Sequence, residues 1–343
     1  MSTIEIIFWI CIVIVFYTYI GYGIILFAAV KVKRAFCKSK QEADFFEPVD
    51  VTLMICAYNE QDIVEMKMDN TNSLDYPKDK LHVVWVTDGS TDSTNEKLSH
   101  YPNVKVLYSP ERKGKTAAIN RGIKLVDTSL IIMTDANTII NPEAVKEVVK
   151  LFQDPKVGCV AGEKRVMSRH EGQAAAEGEG LYWKYESTLK KWDSELYSAM
   201  GAAGEFCAIR KELYQEMPED TLLDDFIVSM QMVDRGYRIA YTDKAYAMEY
   251  GSADFQEESK RKRRIAAGGL QSIWRLRRML NPFRQPVVAF QYISHRVLRW
   301  SITPIALISL IPLNVALVFG KAGSIYTIIW ILQILFYAAA LLG

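Results

Sequence analysis

The chain has 343 residues, of which 50% are hydrophobic and 24% are charged, and its net charge is +1. This length accommodates one large domain or two small ones plus an apolar portion, and the near-neutral charge gives no reason to expect a nucleic-acid-binding protein. The cysteines, at positions 11, 37, 56, 159 and 207, are odd in number and form no CxxC pair. They therefore argue against a disulfide framework or a zinc site and indicate a reduced, cytosol-facing chain.

The N-terminal segment is apolar. Ile6–Val30 carries no charge and is long enough to cross a bilayer with some tilt. The basic residues Lys31, Lys33 and Arg34 follow this segment, whereas a signal peptide has its basic residues first. We predict a retained transmembrane helix and a cytosolic linker over residues 1–44, with the N-terminus outside by the positive-inside rule.

The middle of the chain alternates short apolar runs with polar, helix-like stretches. Helices are expected to begin near Glu60, Lys115 and Pro142. The predicted strands are Val51–Cys56, Leu81–Val86, Val104–Tyr108 and Leu130–Met133. This alternation predicts an α/β domain over residues 45–283, with a mostly parallel sheet and helices on both faces.

Polar residues follow each of these four strands. The four loops contain Ala57–Glu60, Asp88, Lys115, and Asp135 with Asn137. Parallel sheets bind ligands at the carboxyl ends of their strands, so we expect one site along this edge. Ser109 stands where a P-loop needs its first glycine, and no GxGxxG follows the first strand, which argues against both nucleotide-binding motifs.

Asp135 and Asn137 end the fourth strand two residues apart. Side chains at i and i+2 of a strand point the same way, so their oxygens can reach one hard cation. The alternative is an ordinary turn, in which Asp and Asn are common.

Several motifs occur in a recognisable order: "CAYNE", "VTDGSTDST", "RKGKTAAINRG", "MTDANT", "GAAGEFCAIRKEL", "TLLDDFIVSMQMVDRGYRI" and "KRKRRIAAGG". Over roughly residues 50–270 the sequence resembles the family 2 glycosyltransferases, which have the GT-A (Rossmann-like) fold. With its flanking apolar segments it is similar to membrane-bound polysaccharide synthases of the hyaluronan, cellulose and chitin synthase type.

The resemblance implies a nucleoside-diphosphate-sugar donor, with UDP the expected nucleotide. It assigns donor binding to Ala57, Tyr58, Asn59, Glu60, Asp88, Lys115, Asp135, Arg261 and Arg264. Asp88 would accept hydrogen bonds from the base or ribose; its alternative role is in a tight Asp-Gly turn. Asp135 and Asn137 match the DxD motif that holds Mg²⁺ or Mn²⁺. Asn137 replaces the second aspartate, so weaker metal affinity is expected.

The same resemblance implies the catalytic and acceptor residues. Asp225 matches the catalytic base, and the adjacent Asp224 would raise its pKa by repulsion. The alternative is that these acids cap a helix over Phe226–Arg235. The acceptor pocket is assigned to Gly201, Gly204 and Glu205.

One motif departs from the family. Aligned on its glycine, the basic run places Arg261, Arg264 and Ile265 at the glutamine, arginine and tryptophan of QxxRW. Arginine can still bind phosphate, but the missing tryptophan puts long-chain processivity in doubt. The basic run would alternatively attract anionic lipid headgroups.

The C-terminal part returns to membrane-like sequence. Residues 284–300 predict an interfacial amphipathic helix, with packing on the domain as the alternative. Its apolar positions are Phe290, Ile293, Val297 and Trp300, and its polar positions are Gln291, His295 and Arg299. Residues 301–343 predict two transmembrane helices. Tyr182, Trp183 and Tyr185 suit either a sugar platform or, as we favour, a helix packed against the membrane interface.

The sequence thus predicts an integral-membrane, metal-dependent inverting glycosyltransferase with a cytosolic catalytic domain. Its acceptor would be a saccharide or a lipid-linked saccharide in cell-surface polysaccharide synthesis, and membrane lipids would surround its helices. One alternative is a single-sugar transferase acting on a polyprenyl-phosphate-linked acceptor. The other, of a different class, is a catalytically silent nucleotide-binding membrane sensor, motivated by Asp224 and Asn137.

Overall fold

An eight-stranded sheet forms the centre of the computed structural model, which describes residues 2–36, 46–167, 174–250 and 255–342. Cys37 and the end of the predicted linker lie outside these ranges. The strands are β1 Val51–Ala57, β2 Leu81–Asp88, β3 Val104–Ser109, β4 Leu130–Asp135, β5 Ile139–Ile140, β6 Val157–Met167, β7 Cys207–Arg210 and β8 Arg238–Tyr250.

The strands lie in the order β3-β2-β1-β4-β7-β6-β8-β5. The pairs β3–β2, β2–β1, β1–β4 and β6–β8 are parallel, while β4–β7, β6–β7 and β8–β5 are antiparallel. The predicted mostly parallel α/β sheet is confirmed. Because β1 to β4 run in the same direction, their carboxyl ends meet at one edge.

Helices surround the sheet. They are α1 Thr3–Phe36, α2 Val64–Asn72, α3 Thr94–Ser99, α4 Lys115–Leu125, α5 Ala144–Leu151, α6 Ala174–Leu196, α7 Asp224–Asp234, α8 Phe255–Arg275, α9 Pro286–Tyr292, α10 Ile302–Phe319 and α11 Ser324–Leu342. A π-helical stretch, Tyr17–Gly21, interrupts α1. After α9 the chain continues through the π-helical stretch Ile293–Val297 to a last turn, Leu298–Trp300.

Two hydrophobic clusters cover the two faces of the sheet. Met54 of β1 belongs to one cluster with residues of α4 and α7, whereas its neighbours Leu53 and Ile55 belong to the other with residues of α2 and α5. Alternate residues of one strand are thus buried on opposite faces, which explains the continuous apolar runs in the sequence. The predicted helices on both faces are confirmed.

The observed strands extend further than the sequence predicted. β2 ends at Asp88 and β4 at Asp135, two residues beyond the apolar runs. These carboxylates are therefore the last residues of their strands, held by the sheet itself. Helix α2, which follows β1, begins at Val64 rather than near Glu60. Glu60 therefore belongs to the loop after β1 at the edge of the sheet.

Two helices, Thr3–Phe36 and Ile302–Phe319, are long and apolar enough to cross a membrane. Their outward side chains are unusually exposed for apolar residues, with Val13 at 61% and Ile308 at 70%. Phe8 of α1 and Leu310 of α10 are buried in a cluster between these helices. The third predicted apolar segment forms α11, which packs beside α10.

The segment from α9 to Trp300 packs on the domain through its polar side. Gln291 Nε2 donates to the backbone oxygen and Oδ1 of Asp193 in α6, both at 2.9 Å. His295 Nδ1 lies 2.5 Å from Oδ2 of the same aspartate. The hydroxyl of Tyr22, in α1, also donates to Asp193. The polar face that the sequence analysis assigned to an interfacial helix thus lies inside the protein, as the packed alternative expects.

Candidate active site

Two adjoining cavities open at the carboxyl ends of β1, β2 and β4. The first has a volume of about 390 Å³ and the second about 360 Å³. Lys115, Asp135 and Arg264 line both cavities. A larger groove of about 940 Å³ lies beside the first residues of β1, β2 and β4, and none of the predicted site residues lines it. The two smaller cavities are therefore the better candidate for chemistry.

The first cavity receives the loop after β1. Ala57, Tyr58 and Glu60 line it, and the guanidinium of Arg112 stacks on the Tyr58 ring at 3.7 Å. Asn59 instead shapes the loop: its φ is 54°, in the left-handed region, and its Oδ1 accepts the Thr91 N–H at 2.9 Å. Of the four residues predicted in this loop, three thus face the cavity and Asn59 supports them.

Asp88 lines the first cavity but is already engaged. Its Oδ2 accepts the backbone N–H groups of Lys113 at 2.8 Å and Gly114 at 2.7 Å, and its Oδ1 lies 3.4 Å from Arg121. The next residue, Gly89, has φ of +72°, and a Cβ there would lie 2.7 Å from the Arg112 nitrogen. Asp88 thus fixes the Arg112–Gly114 loop, a role additional to the predicted contact with a base or ribose.

Lys115 lies at the centre of the site. Its ammonium is 2.5 Å from Asp135 Oδ1 and 4.0 Å from Asp224 Oδ2. Burial lowers the pKa of Lys115, but the charges of Asp135, Asp224 and Asp225 outweigh burial and raise that pKa overall. The site is consequently a closely spaced array of one cation and three carboxylates.

Asp135 and Asn137 both line the first cavity. Within the described ranges, no three His, Cys, Asp or Glu side chains are grouped as a complete protein metal site. Glu60 is half-buried. Burial, and then the charges of Asp135 and Asp92, raise the pKa of Glu60. Oxygen donors of this kind fit Mg²⁺ or Mn²⁺, which commonly take only one or two protein carboxylates and complete their coordination with phosphate and water.

Asp224 and Asp225 lie in the first turn of α7, which begins at Asp224 with Leu223 as its N-cap. The predicted start at Phe226 was therefore late, and neither acid is the cap residue. Burial, and next the charge of Asp224, raise the pKa of Asp225 to about 7, although Lys115 opposes this shift. A Cβ on Gly204 would lie 3.4 Å from Asp225 Oδ2, so the glycine keeps this carboxylate accessible.

Of the predicted acceptor residues, Gly204 and Glu205 line the second cavity, whereas Gly201 packs against Phe226 behind it. Gly201 has φ of +97°, and a Cβ there would collide with the Phe226 ring at 2.4 Å. Glu205 is paired with the buried Lys164 at 2.5 Å, and Lys164 also contacts Glu249. Burial would raise the pKa of Glu205, but Lys164 lowers it overall, so Glu205 is held ionised. This ion cluster forms one wall of the cavity.

Two arginines of the basic segment, Arg261 and Arg264, line the second cavity. Arg261 also pairs with Glu258 of its own helix, at 2.7 and 2.9 Å. Arg264 is exposed, lines both cavities, and has no hydrogen-bond or ion-pair partner within the described ranges. Its guanidinium is therefore available to a ligand at the junction of the two cavities.

An aromatic side chain, Trp300, lies beside the position of the missing tryptophan. Ile265 lines the second cavity together with Trp300, which packs edge-on against Phe226 at a centroid distance of 4.9 Å. A Cβ on Gly269 would lie 2.6 Å from Trp300, so this glycine allows the indole to approach α8. The aromatic surface thus comes from the segment after α9, about 35 residues further along the chain.

Several residues of the second cavity had no recognisable motif in the sequence. Trp183, which was considered for a sugar platform, lines the cavity, whereas the Tyr185 hydroxyl donates to Tyr19 of α1 at 2.6 Å. The side chain of Tyr182 lies outside the described part. The charged lining residues that sequence analysis did not assign to the site are Lys164, Glu186, Lys190, Glu249, Arg296 and Arg299.

Comparison with known proteins agrees with this architecture. A family model described as "Glycosyltransferase like family 2" matches residues 48–268. A poly-beta-1,6-N-acetyl-D-glucosamine synthase of Staphylococcus aureus (strain MSSA476) is 28% identical over 229 residues, which cover 64% of this chain and 54% of that protein. The corresponding Staphylococcus epidermidis protein is 24% identical over 203 residues, covering 57% and 48%. The chain thus spans about half the length of the curated relatives it matches.

Two solved structures share the fold. The mannosyltransferase PcManGT from Pyrobaculum calidifontis, solved with GDP-Man and Mn²⁺, aligns over 98% of both chains with a TM-score of 0.68 and 23% identity. Residues 1–349 of S. aureus TarS, solved with UDP-GlcNAc, align over 78% of this chain and 81% of that one, with a TM-score of 0.51 and 17% identity. At these identities the likeness concerns the fold.

Proposed function

The chain belongs to the family 2-like glycosyltransferases, and from this we propose that it is a membrane-bound, metal-dependent inverting enzyme of polysaccharide synthesis. The observation that carries the proposal is the position of Asp225. The pKa of this carboxylate is raised to about 7. Asp225 lines the second cavity together with Lys115 and with Asp135, the last residue of β4. One cavity can hold a donor, the other an acceptor.

We assign the donor to the first cavity. Lys115 and Arg264 supply positive charge for a diphosphate, and the Tyr58 ring with its stacked Arg112 offers a flat surface to a base. The staphylococcal relatives are named for an N-acetylglucosamine polymer, and TarS was solved with UDP-GlcNAc. UDP-N-acetylglucosamine is therefore the first donor to test, with GDP-mannose, the ligand of PcManGT, as the second.

A divalent cation fits beside this donor. Asp135 and Asn137 would hold Mg²⁺ or Mn²⁺, in agreement with the Mn²⁺ in the PcManGT structure. When bound, the cation neutralises charge on the diphosphate leaving group. Lys115, now 2.5 Å from Asp135, contributes a second positive charge on the same side.

The chemical step follows from the acid–base properties of Asp225. The acceptor oxygen forms a bond to the anomeric carbon while the bond from that carbon to the diphosphate oxygen breaks. Asp225 takes the acceptor's hydroxyl proton, and its pKa near neutrality suits a general base. Attack from the face opposite the diphosphate inverts the configuration, so an α-linked donor gives a β-linkage.

The membrane arrangement follows the apolar helices. α1 and α10 would span the membrane, with their exposed Val13 and Ile308 against lipid. The basic residues after Val30 favour a cytosolic catalytic domain and an outside N-terminus. The second candidate function is single-sugar transfer to a lipid-linked acceptor, favoured by Lys190, Arg296 and Arg299, which line the second cavity beside these helices.

The test is release of UDP or GDP from a panel of nucleotide sugars by the full chain in nanodiscs, with and without Mn²⁺ or Mg²⁺. We expect metal-dependent turnover of one donor and its loss in Asp225→Asn. The matched control is Asp234→Asn at the other end of α7, where the carboxylate pairs with Arg284 outside both cavities. Donor binding without turnover in wild type, whatever acceptor is added, would favour the silent sensor instead.

A further inference from the structure

Lys190 is a buried lysine that lines the second cavity, and burial lowers the pKa of its ammonium. It lies on α6, is 6% exposed and lines the cavity that contains Asp225. Within the described ranges its ammonium makes no hydrogen bond and no ion pair. Buried ammonium groups are normally paired because an unpaired one loses its hydration without compensation. The wall of a cavity is thus a favourable place for this side chain only if a ligand there supplies negative charge.

The acid that would pair with Lys190 is already engaged. Glu186 lies one helical turn before Lys190 on α6, the usual spacing for a pair. However, the Glu186 carboxylate lies 2.8 Å from Arg296 and 2.8 Å from Arg299, and 3.3 Å from His295. The segment after α9 therefore occupies Glu186 and leaves the Lys190 charge directed at the cavity.

Two arginines extend this cationic surface. Arg296 and Arg299 line the same cavity as Lys190, and their side chains are 14% and 9% exposed. Locally the three side chains face one carboxylate, Glu186, while Glu205, Asp225 and Glu249 line the same cavity further along. A phosphate group at this place would accept hydrogen bonds from several of these cationic donors.

The location of this surface relates it to the apolar helices. α6 contacts α1 through the Tyr185–Tyr19 hydrogen bond, and the segment carrying Arg296 and Arg299 leads directly into α10. The cationic surface thus lies on the side of the site from which both candidate membrane helices extend. A phosphate that joins a saccharide to a lipid would lie between the catalytic base and these helices.

We propose that Lys190, with Arg296 and Arg299, forms a subsite for the phosphate or diphosphate group of a lipid-linked acceptor. This inference rests on the proposed function, because it places the acceptor in the second cavity. It adds the acceptor's chemical class. The phosphate binds here without reacting, while a hydroxyl of the attached saccharide is directed at Asp225.

The test measures binding without a donor, so that it does not depend on turnover. The full chain in detergent is titrated with geranyl phosphate, with geraniol, and with inorganic phosphate alone. The variants are Lys190→Met, Lys190→Arg and Lys191→Met. Lys191 is the matched control because it is the next residue of α6, is 56% exposed and pairs with Asp243 outside the cavity.

We expect geranyl phosphate to bind wild type and Lys191→Met with equal Kd, and Lys190→Met about 10- to 100-fold more weakly, as for loss of a charge-assisted hydrogen bond. Lys190→Arg should recover most of the affinity, and geraniol should show no dependence on residue 190. Without ligand, Lys190→Met should have a higher Tm than wild type, because an unpaired buried charge has been removed.

Equal geranyl phosphate affinity in wild type and Lys190→Met would overturn the proposal. Binding of inorganic phosphate with the same affinity and the same dependence on Lys190 would overturn the lipid-linked acceptor and leave a site for free phosphate. A lower Tm in Lys190→Met without ligand would show that the lysine has a structural partner, and would also count against the subsite. Failure of the nucleotide-release test, by contrast, would reject the proposed function and leave these binding results standing.

Discussion

The ammonium of Lys115 lies 2.5 Å from Oδ1 of Asp135, so the first residue of α4 is in contact with the last residue of β4. The contact places a fixed cation between the proposed metal ligand and the proposed base. It also means that Asp135 has a positive partner even without a metal ion. Lys115 is therefore expected to act on both donor binding and the chemical step.

Lys115→Met should lower kcat/KM by about 100-fold or more, because a preorganised charge near a developing diphosphate is lost. It should also move the acidic limb of the pH–rate profile upward, since Lys115 lowers the pKa of Asp225. Steady-state kinetics across pH would measure both effects. Lys113→Met is the control, because its side chain is 53% exposed and lies beside Glu111. Similar losses in the two variants would contradict a specific role.

The activity should depend on ionisation of Asp225. A base must be unprotonated, so kcat/KM should fall as the pH drops through about 7, the raised pKa of this carboxylate. Asp224→Asn removes a charge that raises this pKa, and should therefore move the acidic limb to lower pH. Asp225→Asn should abolish the limb and lower the rate by about 10²- to 10⁴-fold. If the acidic limb of the pH–rate profile is unchanged in Asp224→Asn, the charge of Asp224 does not raise the pKa of Asp225.

Asn137→Asp should increase the affinity of the site for a divalent cation. The substitution restores a second carboxylate beside Asp135, and hard cations bind charged oxygens more strongly. We expect the Mn²⁺ concentration for half-maximal activity to fall several-fold, while Asp135→Asn should raise it steeply. Titration of Mn²⁺ at fixed donor concentration checks this order. The same half-saturation in wild type and Asn137→Asp would exclude residue 137 from the coordination sphere.

Lys67 should make the fold more stable in mild alkali. It is fully buried behind the loop that follows β4, where its ammonium donates to the Thr138 backbone oxygen at 2.8 Å and to Thr134 at 3.1 Å. Burial lowers its pKa from 10.5 to about 7. Between these values the unfolded chain binds the extra proton, so stability rises with pH from about 7 to 10.5 and is lost as pH falls through 7. Tm measured from pH 6 to 10 should show this slope in wild type and less of it in Lys67→Met. An equal slope in both would refute the assignment.

Asp193 should be a strong determinant of stability. It is fully buried and accepts hydrogen bonds from Tyr22 and Gln291, beside His295. Asp193→Ala leaves these groups without their acceptor and should cost about 3–5 kcal/mol. Glu195→Ala, on the same helix, removes only an exposed pair with Arg34 and should lower the Tm by less than about 2 °C. Thermal unfolding of both variants in detergent compares them directly, and equal losses would argue against this role for Asp193.

Many residues of the first cavity, the proposed donor site, could be predicted because they follow strands in the sequence. Asp88, Lys115 and Asp135 each come at or just after an apolar run, and parallel strands bring such positions together. The residues of the second cavity, the proposed acceptor site, could not be predicted in the same way. Glu186 meets Arg296 and Arg299 across more than one hundred residues, and Trp300 reaches the wall beside Ile265 from a separate segment. No local pattern encodes such contacts, because they depend on how helices pack after the sheet has formed.

The helix starts illustrate a second limit. Asp224 and Asp225 suggested a cap followed by a helix from Phe226, whereas α7 already includes both acids. The apolar residues of α7 are buried under the sheet, and this packing extends the helix by two residues at its start. As a result both carboxylates have helical backbone geometry, and Asp225 Oδ1 accepts the Phe226 N–H at 2.8 Å.

Asp193 also has a mechanical consequence. Tyr22 belongs to α1, and His295 belongs to the segment that leads into α10. Both side chains contact the Asp193 carboxylate. A tilt of either segment relative to α6, which also carries Lys190, would break a buried contact with Asp193. This shared contact therefore helps to hold the apolar helices at a defined distance from Asp225. For the lipid-linked acceptor proposed above, the length between its lipid and its reacting hydroxyl would then have to match the distance from these helices to Asp225.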